Sequence, residues 1–328
     1  MDNKNKTRVL SGIQPSGDLH IGNYFGMMAR MINYQTKNEL FCFIADYHAL
    51  TSSPSAQVLS SNTFNAACDF LALGLDPDKT TFWIQSDVPE VTELAWILSS
   101  QTGVGLMDRS TTYKDKITKG IKPNMGLFSY PILMAADILL FNSELVPVGK
   151  DQKQHIEIAR DIALKFNNKF GDTFTMPNPD IEKKTQLVPG IDGQKMSKSY
   201  NNTIPIFGSE KIIRKKIMSI ITDTAGIDES KAKDTPLFEL YCLFASAKER
   251  EILSEKYDGK GLRYGDVKVE LFNKVMDYFS RFRDKRKILF SKPDDVFDIL
   301  AFGAKKAKLV ASEVLERVRI ASGLDYRL

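Results

Sequence analysis

The chain has 328 residues, 43% of them hydrophobic and 26% charged, with a net charge of +4, which is ordinary for a globular protein of about two domains. Its cysteines, Cys42, Cys68 and Cys242, are far apart and form no C-x-x-C pair, which argues against a disulfide framework and a cysteine zinc site. No apolar run is long enough to span a bilayer, and the polar N-terminus has no apolar signal segment, so we expect a cytoplasmic, soluble protein.

Apolar runs and helical stretches alternate in the first hundred residues. The runs at 41–45 and 82–85 are continuous, a pattern typical of parallel strands that are buried on both faces. The predicted strands are 8–13, 41–45 and 82–85, and the predicted helices are 22–36, 55–73 and 90–100. Strand and helix in alternation predict an α/β fold, with an open parallel sheet and helices on both faces.

The middle of the chain is less regular. Residues 104–128 are basic and contain glycine, which predicts an excursion from the sheet, and we place a connecting insertion at about 104–145. Residues 145–149 predict a strand that ends in glycine, followed by a helix from about 151 to 166. Residues 171–194 are rich in Pro, Gly and Asp and predict a loop.

The composition changes after Pro205, where we place a domain boundary between 1–205 and 206–328. The second domain is predicted to be all helical, with helices at 209–221, 236–256, 266–290 and 304–322. It also carries the excess of basic residues, including Arg281, Arg283, Lys285, Arg286 and Lys287. These form either an exposed helix face, which charge alone favours, or a nucleic-acid-binding surface.

Residues 14–23 predict the turn from the first strand into the first helix. The start of a helix presents unpaired N–H groups and a partial positive charge, which suits a phosphate. Taken alone, a capped turn with a surface histidine is the more common explanation. The candidate binding residues here are Gln14, Pro15, Ser16, His20, Gly22 and Asn23.

A second candidate for phosphate binding is the loop 195–199, which reads KMSKS. Lys195 and Lys198, three residues apart, can hold one polyanion as point charges. An exposed basic loop is the alternative, but the turn at 14–23 independently points to the same ligand. The candidate residues are Lys195, Met196, Ser197, Lys198 and Ser199.

Asp137 stands inside an apolar run, where a carboxylate is costly unless it has a partner. It is either a buried cap of backbone amides or an acceptor for a bound ligand. Residues 149–155 follow a strand and open a helix, so they lie at the sheet edge where α/β proteins bind ligands. Asp151 could accept from ribose hydroxyls or be a plain N-cap.

The histidines of the chain, His20, His48 and His155, all follow predicted strand ends, which favours a site, although none shows metal-ligand spacing. Neither G-x-x-x-x-G-K-[ST] nor G-x-G-x-x-G is present, so the sequence supports neither a P-loop NTPase nor a dinucleotide dehydrogenase.

The motifs together resemble a known family. Residues 15–23 look like the HIGH signature of class I aminoacyl-tRNA synthetases, and 195–199 match their KMSKS loop at every position. Residues 11–17, 130–140 and 146–155 are similar to bacterial tryptophanyl-tRNA synthetases. The resemblance implies a Rossmann-like, HUP-type catalytic domain, a helical anticodon-binding domain whose last helix packs back on the catalytic domain, and a homodimer.

By this resemblance the substrates are ATP with Mg²⁺, L-tryptophan and tRNA(Trp). It implies that Lys195 and Lys198 neutralise the phosphates, that Gln14 reaches the α-phosphate, and that His20 is catalytic. The other implied ATP-binding residues are Pro15, Ser16, Gly22, Asn23, Gly149, Lys150, Asp151, Val188, Met196, Ser197 and Ser199. The implied tryptophan-binding residues are Asp137 for the indole N–H, Tyr130 and Gln152 for the amino end, and Met134 and His48.

Two alternatives remain at this point. The related tyrosine enzyme shares the fold, but a phenol would call for a polar pair. Here Met134, Ala135 and Ala136 lie beside the single carboxylate of Asp137, which favours indole. The second alternative is a non-catalytic tRNA-binding relative, and the intact lysine pair argues against it.

Overall fold

A computed structural model describes residues 6–52, 54–109, 113, 117–118, 120, 122–149, 152–181 and 187–326. It contains a five-stranded, all-parallel sheet with the order β3-β2-β1-β4-β5. The strands are β1 (Arg8–Ile13), β2 (Glu39–Ile44), β3 (Thr80–Ile84), β4 (Leu145–Val148) and β5 (Asn178–Ile181). This sheet, with helices between its strands, confirms the predicted α/β fold.

The first helices connect and follow the strands. They are α1 (21–34, with a π-helical part at Tyr24–Met28), α2 (Asp46–Ala49), α3 (Ala56–Ala72), α4 (Glu90–Gln101), α5 (Val104–Asp108), α6 (Met125–Leu140) and α7 (Lys153–Phe170). The later helices are α8 (Glu210–Met218), α9 (Pro236–Phe244), α10 (Ala247–Asp258), α11 (Tyr264–Tyr278), α12 (Ser280–Ser291) and α13 (Pro293–Ser322). No helix in the described part of the chain is long and apolar enough to cross a membrane.

The chain divides into two compact units at positions other than the boundary placed near residue 205. The first unit comprises Met1–Gly17, Met31–Lys184 and Lys292–Leu328, and the second comprises Asp18–Arg30 and Thr185–Ser291. Residues 188–206 belong with the second unit because Leu19 and Ile21 form backbone hydrogen bonds with Ile206 and Ile204. The C-terminal helix α13 belongs with the unit that contains the sheet.

The core of the first unit lies on the sheet face that α4, α6, α7 and α13 cover. Leu10, Phe41 and Trp83 come from neighbouring strands and pack together with the apolar faces of these helices. β2 and β3 carry buried residues on both faces, which explains why their sequences read as continuous apolar runs rather than alternating ones.

Helix α13 covers the outer edge of the sheet at β3. A Cβ atom at Gly303 would lie 1.8 Å from the carbonyl oxygen of Phe82, so only glycine permits this approach of helix to strand. A covered edge strand cannot pair with a strand of another molecule, which protects the sheet from edge-to-edge association.

The core of the second unit is aromatic. Tyr24 and Phe25 of α1 make edge-to-face contacts with Phe279, and Phe244 and Tyr278 join the same cluster. Edge-to-face pairs add roughly 0.5–1.5 kcal/mol each beyond burial, so this cluster holds α1 against the helices of its unit.

Several predicted elements differ from the structure in ways that local signals explain. The irregular stretch predicted over 104–128 contains α5 and the start of α6, whose N-cap Asn124 accepts a hydrogen bond from the Leu127 N–H. The loop predicted over 171–194 contains β5, where Pro179 is tolerated because β5 is an edge strand. Both predictions were wrong at these places.

The helices predicted over 236–256 and 266–290 are each divided in two. Ser246 and Glu249 form a capping box that begins α10, a pattern visible in the sequence. The predicted helix 304–322 begins earlier, at Pro293, a residue type that favours the first helical position. Within 206–326 the regular elements are all helices, as predicted.

Candidate active site

In the first unit, a group of polar side chains lies where β2, β3 and α6 meet. We call Asp137, Gln85 and His48 the carboxylate pocket. His48 belongs to α2, directly after β2, and Gln85 follows β3, so both stand at the carboxyl ends of neighbouring parallel strands. Tyr130, Met134 and Asp137 are spaced i, i+4 and i+7 on α6 and therefore share one face of that helix.

Asp137 is 3% exposed and its carboxylate is held by side chains rather than by the end of a helix. The Gln85 Nε2 atom lies 2.8 Å from Oδ1 and 3.0 Å from Oδ2, and the His48 Nε2 atom lies 2.8 Å from Oδ2. Burial raises the pKa of Asp137, while the hydrogen bonds from His48 and Gln85 oppose that rise. A buried carboxylate with partners on both oxygens is a prepared acceptor.

Backbone groups fix the frame of the carboxylate pocket. The Asp46 Oδ1 atom accepts from the N–H groups of Tyr47 and Ser86, which ties the segments after β2 and β3 together. Gln14, at the end of β1, donates from Nε2 to the His48 carbonyl at 3.0 Å. These hydrogen bonds join the segments that follow β1, β2 and β3, and those segments surround the carboxylate of Asp137.

The other residues predicted for this part of the site differ in how deeply they are buried. The Tyr130 hydroxyl and His155 Nε2 are hydrogen-bonded, and both side chains are buried. Gln152 is the exposed N-cap of α7, and Gly149 accepts its N–H at 3.0 Å. Lys150 and Asp151 lie outside the described residues.

A cavity of about 290 Å³ opens beside these side chains, lined in part by Tyr47, Tyr130 and Leu133. A larger cavity of about 750 Å³ lies beside Arg8 and Glu39, at the amino ends of the strands. Parallel α/β sheets bind ligands at their carboxyl ends, which favours the smaller cavity as part of the site.

In the second unit, the start of α1 is a compact helix-opening turn. The His20 N–H donates to Asn23 Oδ1 at 3.1 Å, and the Asn23 N–H donates to the His20 carbonyl at 2.9 Å. His20 is 6% exposed, and its burial, helped by the nearby positive charge of Lys198, lowers its pKa from 6.5 to about 4. The imidazole is therefore neutral at pH 7, where it can donate or accept a hydrogen bond without adding charge.

The segment 188–202, which we call the signature loop, contacts this turn through Met196. The Met196 side chain is 4% exposed, and the Gly22 N–H lies 3.3 Å from its Sδ atom. A Cβ at Gly22 would lie 3.1 Å from Met196 Cβ and 3.0 Å from the His20 ring, so glycine allows this close packing. The buried Val188 accepts the Met196 N–H at 2.9 Å.

The signature loop is built around the carboxamide of Asn202, which is 1% exposed. Its Oδ1 accepts the Ser197 N–H at 2.7 Å, and its Nδ2 donates to Asp192 Oδ1 at 2.7 Å and to the Lys195 carbonyl at 3.1 Å. A Cβ at Gly190 would collide with this side chain at 2.3 Å. The loop backbone is thus fixed, while Lys195, Lys198 and Ser199 remain exposed.

The predicted residues therefore form two groups, one in each compact unit. The first contains Gln14, His48, Tyr130, Met134 and Asp137, and the second contains His20, Gly22, Asn23, Val188 and the KMSKS residues. Sequence reasoning missed Gln85 and Asn202. Gln85 is the last residue of a predicted strand, and His48 also follows one, so its position at a strand end could have identified Gln85. No local pattern marked Asn202.

Comparisons with known proteins show the family of the chain. The family model described as tRNA synthetases class I (W and Y) matches residues 2–280. A protein of Fusobacterium nucleatum named tryptophan–tRNA ligase is 50% identical over 318 residues, which are 97% of this chain and 98% of that protein. A Campylobacter jejuni protein of the same name is also 50% identical and is covered completely, by 97% of this chain.

A solved structure also matches the chain over nearly its whole length. The crystal structure of tryptophanyl-tRNA synthetase from Campylobacter jejuni, complexed with ADP and tryptophan, superposes with a TM-score of 0.94 at 49% identity. The match covers 97% of this chain and 100% of that one. The chain belongs to the class I tRNA synthetase family that comprises the tryptophan and tyrosine enzymes.

Proposed function

We propose that this protein acts as a tryptophan–tRNA ligase. It activates L-tryptophan with ATP to give tryptophanyl-AMP and pyrophosphate, then transfers tryptophan to the 3′ end of tRNA(Trp) for protein synthesis in the cytoplasm. The observation that carries the proposal is the buried carboxylate of Asp137, held on both oxygens and placed on one helix face with Tyr130 and Met134.

Activation needs no nucleophile from the protein. The tryptophan carboxylate attacks the α-phosphorus of ATP, a new P–O bond forms, and the bond to the departing pyrophosphate breaks. The protein contributes positioning and stabilisation of the charge that moves onto the pyrophosphate. Lys195 and Lys198 are exposed cations on a fixed loop, which suits them to neutralise that charge, together with the Mg²⁺ that ATP carries.

The selectivity follows from hydrogen-bond chemistry. Indole offers one N–H donor and no acceptor, so one prepared acceptor is a complete partner for it. Phenylalanine would leave the buried carboxylate of Asp137 without that donor, and sites of this type reject such analogues by roughly 10⁴–10⁵-fold. Tyr130 and Gln152 are assigned to the amino end of tryptophan, and Met134 and His48 to the pocket wall.

The remaining assignments concern ATP. Gln14 is assigned to the α-phosphate, and the neutral imidazole of His20 to a phosphate oxygen that it can approach as a hydrogen-bond donor. The further ATP contacts are assigned to Pro15, Ser16, Gly22, Asn23, Gly149, Lys150, Asp151, Val188, Met196, Ser197 and Ser199.

We assign tRNA binding, including the anticodon, to the helical residues 206–291, where α12 carries Arg281, Lys285 and Lys287 on its exposed surface. We also expect a homodimer. Trp96, Val104 and Met125 are 76%, 65% and 75% exposed, on or beside helices that pack against one another. A contiguous patch of exposed apolar side chains typically marks a protein–protein contact, so we assign these residues to the dimer interface.

Exchange of radioactive pyrophosphate into ATP, measured with each of the twenty amino acids, tests the proposed function. We expect exchange with tryptophan alone. Stimulation by tyrosine and not by tryptophan would identify the protein as the tyrosine enzyme. Absence of any aminoacyl-adenylate would favour the non-catalytic tRNA-binding alternative.

A further inference from the structure

Gln85 is buried between the backbone of Tyr47 and the carboxylate of Asp137. It is 2% exposed, and it directly follows β3. Its Nε2 atom lies within hydrogen-bond distance of both carboxylate oxygens, at 2.8 and 3.0 Å. Its Oε1 atom accepts the Tyr47 N–H at 3.1 Å.

These contacts determine which way the carboxamide points. In the opposite orientation, its oxygen would face the carboxylate of Asp137 and its NH₂ group would face the Tyr47 N–H. Both contacts would be repulsive, because acceptor would meet acceptor and donor would meet donor. The Tyr47 N–H therefore commits the NH₂ group of Gln85 to Asp137.

We propose that Gln85 is a positioning residue that keeps Asp137 charged and aims its one remaining acceptor direction at the indole N–H of tryptophan. The proposal rests on the proposed function and extends it to the source of amino-acid selectivity.

A count of acceptor directions leads to this role. An ionised carboxylate offers about four lone-pair directions. Gln85 occupies one on each oxygen of Asp137, and His48 occupies the other on Oδ2. Among the described residues no group occupies the last direction, on Oδ1, which matches a ligand with a single N–H donor.

The charges around the pocket make a neutral donor useful. Asp137 is desolvated, and Asp46 nearby adds negative charge, so both effects favour the protonated form. Among the described residues, hydrogen bonds from His48 and Gln85 oppose them. Gln85 has no titratable group, so its donation to Asp137 does not change with pH.

The test compares tryptophan with β-(3-benzothienyl)alanine, in which sulfur replaces the indole N–H. We expect Gln85→Met to lower the ratio of their kcat/KM values in pyrophosphate exchange by about 10- to 100-fold, because a hydrogen bond to a charged group contributes about 1.5–3 kcal/mol. The loss should fall on tryptophan, while the KM for ATP stays within twofold.

Gln85→Glu keeps the size of the side chain and introduces a titratable carboxyl group, so the activity of this variant should depend on pH. At pH 8 the introduced carboxylate would repel Asp137 and Asp46, so tryptophan activation should fall more than in Gln85→Met. At pH 6 its protonated form can donate to Asp137, so activity should recover toward that of the wild type. Gln85→Met should show no such recovery, since it has no titratable group.

Gln57→Met, on the exposed surface of α3, is the matched control and should change neither ratio nor pH profile. A twofold or smaller change of the substrate ratio in folded Gln85→Met, or the absence of recovery in Gln85→Glu, would overturn the role of Gln85. Absence of tryptophan-dependent exchange in the wild type would overturn the proposed function itself.

Discussion

The carboxylate pocket and the signature loop differ in where their charged groups lie, buried in the pocket and exposed in the loop. In the pocket, the carboxylate of Asp137 is buried and neighbouring side chains supply its partners. In the loop, the charges of Lys195 and Lys198 stay in solvent, and the buried parts are the neutral side chains of Met196 and Asn202. One region prepares a single directional contact, and the other prepares a backbone that presents point charges.

This difference matches what each proposed ligand offers. A buried acceptor gains selectivity because a ligand without the matching donor leaves a desolvated charge unpaired, which costs several kcal/mol. A polyphosphate carries several charges and many acceptor atoms, so exposed lysines can follow it as it changes during reaction. Substitutions in the two regions should therefore affect different substrates.

The largest effect is expected for Asp137→Ala. The substitution removes the acceptor and leaves the NH₂ group of Gln85 without its carboxylate, so kcat/KM for tryptophan should fall about 10³-fold or more. The KM for ATP should change little. Pyrophosphate exchange measured against each substrate checks this, with the exposed Asp161→Ala as control. Equal losses for tryptophan and ATP would contradict the role of Asp137.

Lys195→Ala should show the reverse pattern. Removing one preorganised charge from the phosphates should slow adenylate formation by about 10²- to 10³-fold, while tryptophan affinity changes little. Single-turnover formation of tryptophanyl-AMP measures the rate, and tryptophan binding is measured without ATP. Lys211→Ala, an exposed lysine on α8, is the control. An unchanged rate would remove the signature loop from the mechanism.

Asn202→Ala tests whether the fixed backbone of the signature loop matters, independent of its charges. The Ser197 N–H and the Lys195 carbonyl would lose their common partner, so we expect adenylate formation to slow by about 10- to 100-fold. The neighbouring Asn201→Gly is a sharp control, because Asn201 has a φ of 51° that glycine adopts freely. Equal effects of the two substitutions would argue against a role of the Asn202 carboxamide in fixing the loop backbone.

The smallest effect concerns pH and His20. Because its folded pKa, about 4, lies below the 6.5 of the unfolded chain, protonation favours unfolding. The stabilisation is therefore fully present above pH 6.5 and is lost as the pH falls toward 4. Between pH 7.5 and pH 6 the wild type should lose about 1 kcal/mol more stability than His20→Gln. Urea unfolding at both pH values measures the difference, and identical losses would contradict the burial effect.

Much of the fold could be read from local patterns. Continuous apolar runs identified β2 and β3 because strands buried on both faces carry no alternation, and short apolar segments identified β1 and β4. The short edge strand β5 could not be read, because Pro179 and Asp180 give it the composition of a loop. Helix α6 was obscured in the same way by Pro131 within it.

The candidate site was predictable to a similar degree. The KMSKS lysines and the turn at His20–Asn23 are recognised by their order along the chain, and Asp137 by its apolar surroundings. Gln85 and Asn202 act through partners that are distant in sequence or hidden inside a loop. The position of Gln85 at the end of a predicted strand is the sequence signal that could have identified it, whereas no local pattern distinguishes Asn202.

The sequence by itself determined the order of strands and helices, the lysine pair and the isolated carboxylate, because each depends on residues that are neighbours along the chain. Only the tertiary structure decided which groups meet that carboxylate. Gln85 lies 52 residues from Asp137 and His48 lies 89 residues away, and they come together because parallel strands end at one edge of a sheet. Hydrogen bonds act over about 3 Å, so such partnerships exist only once the chain has folded.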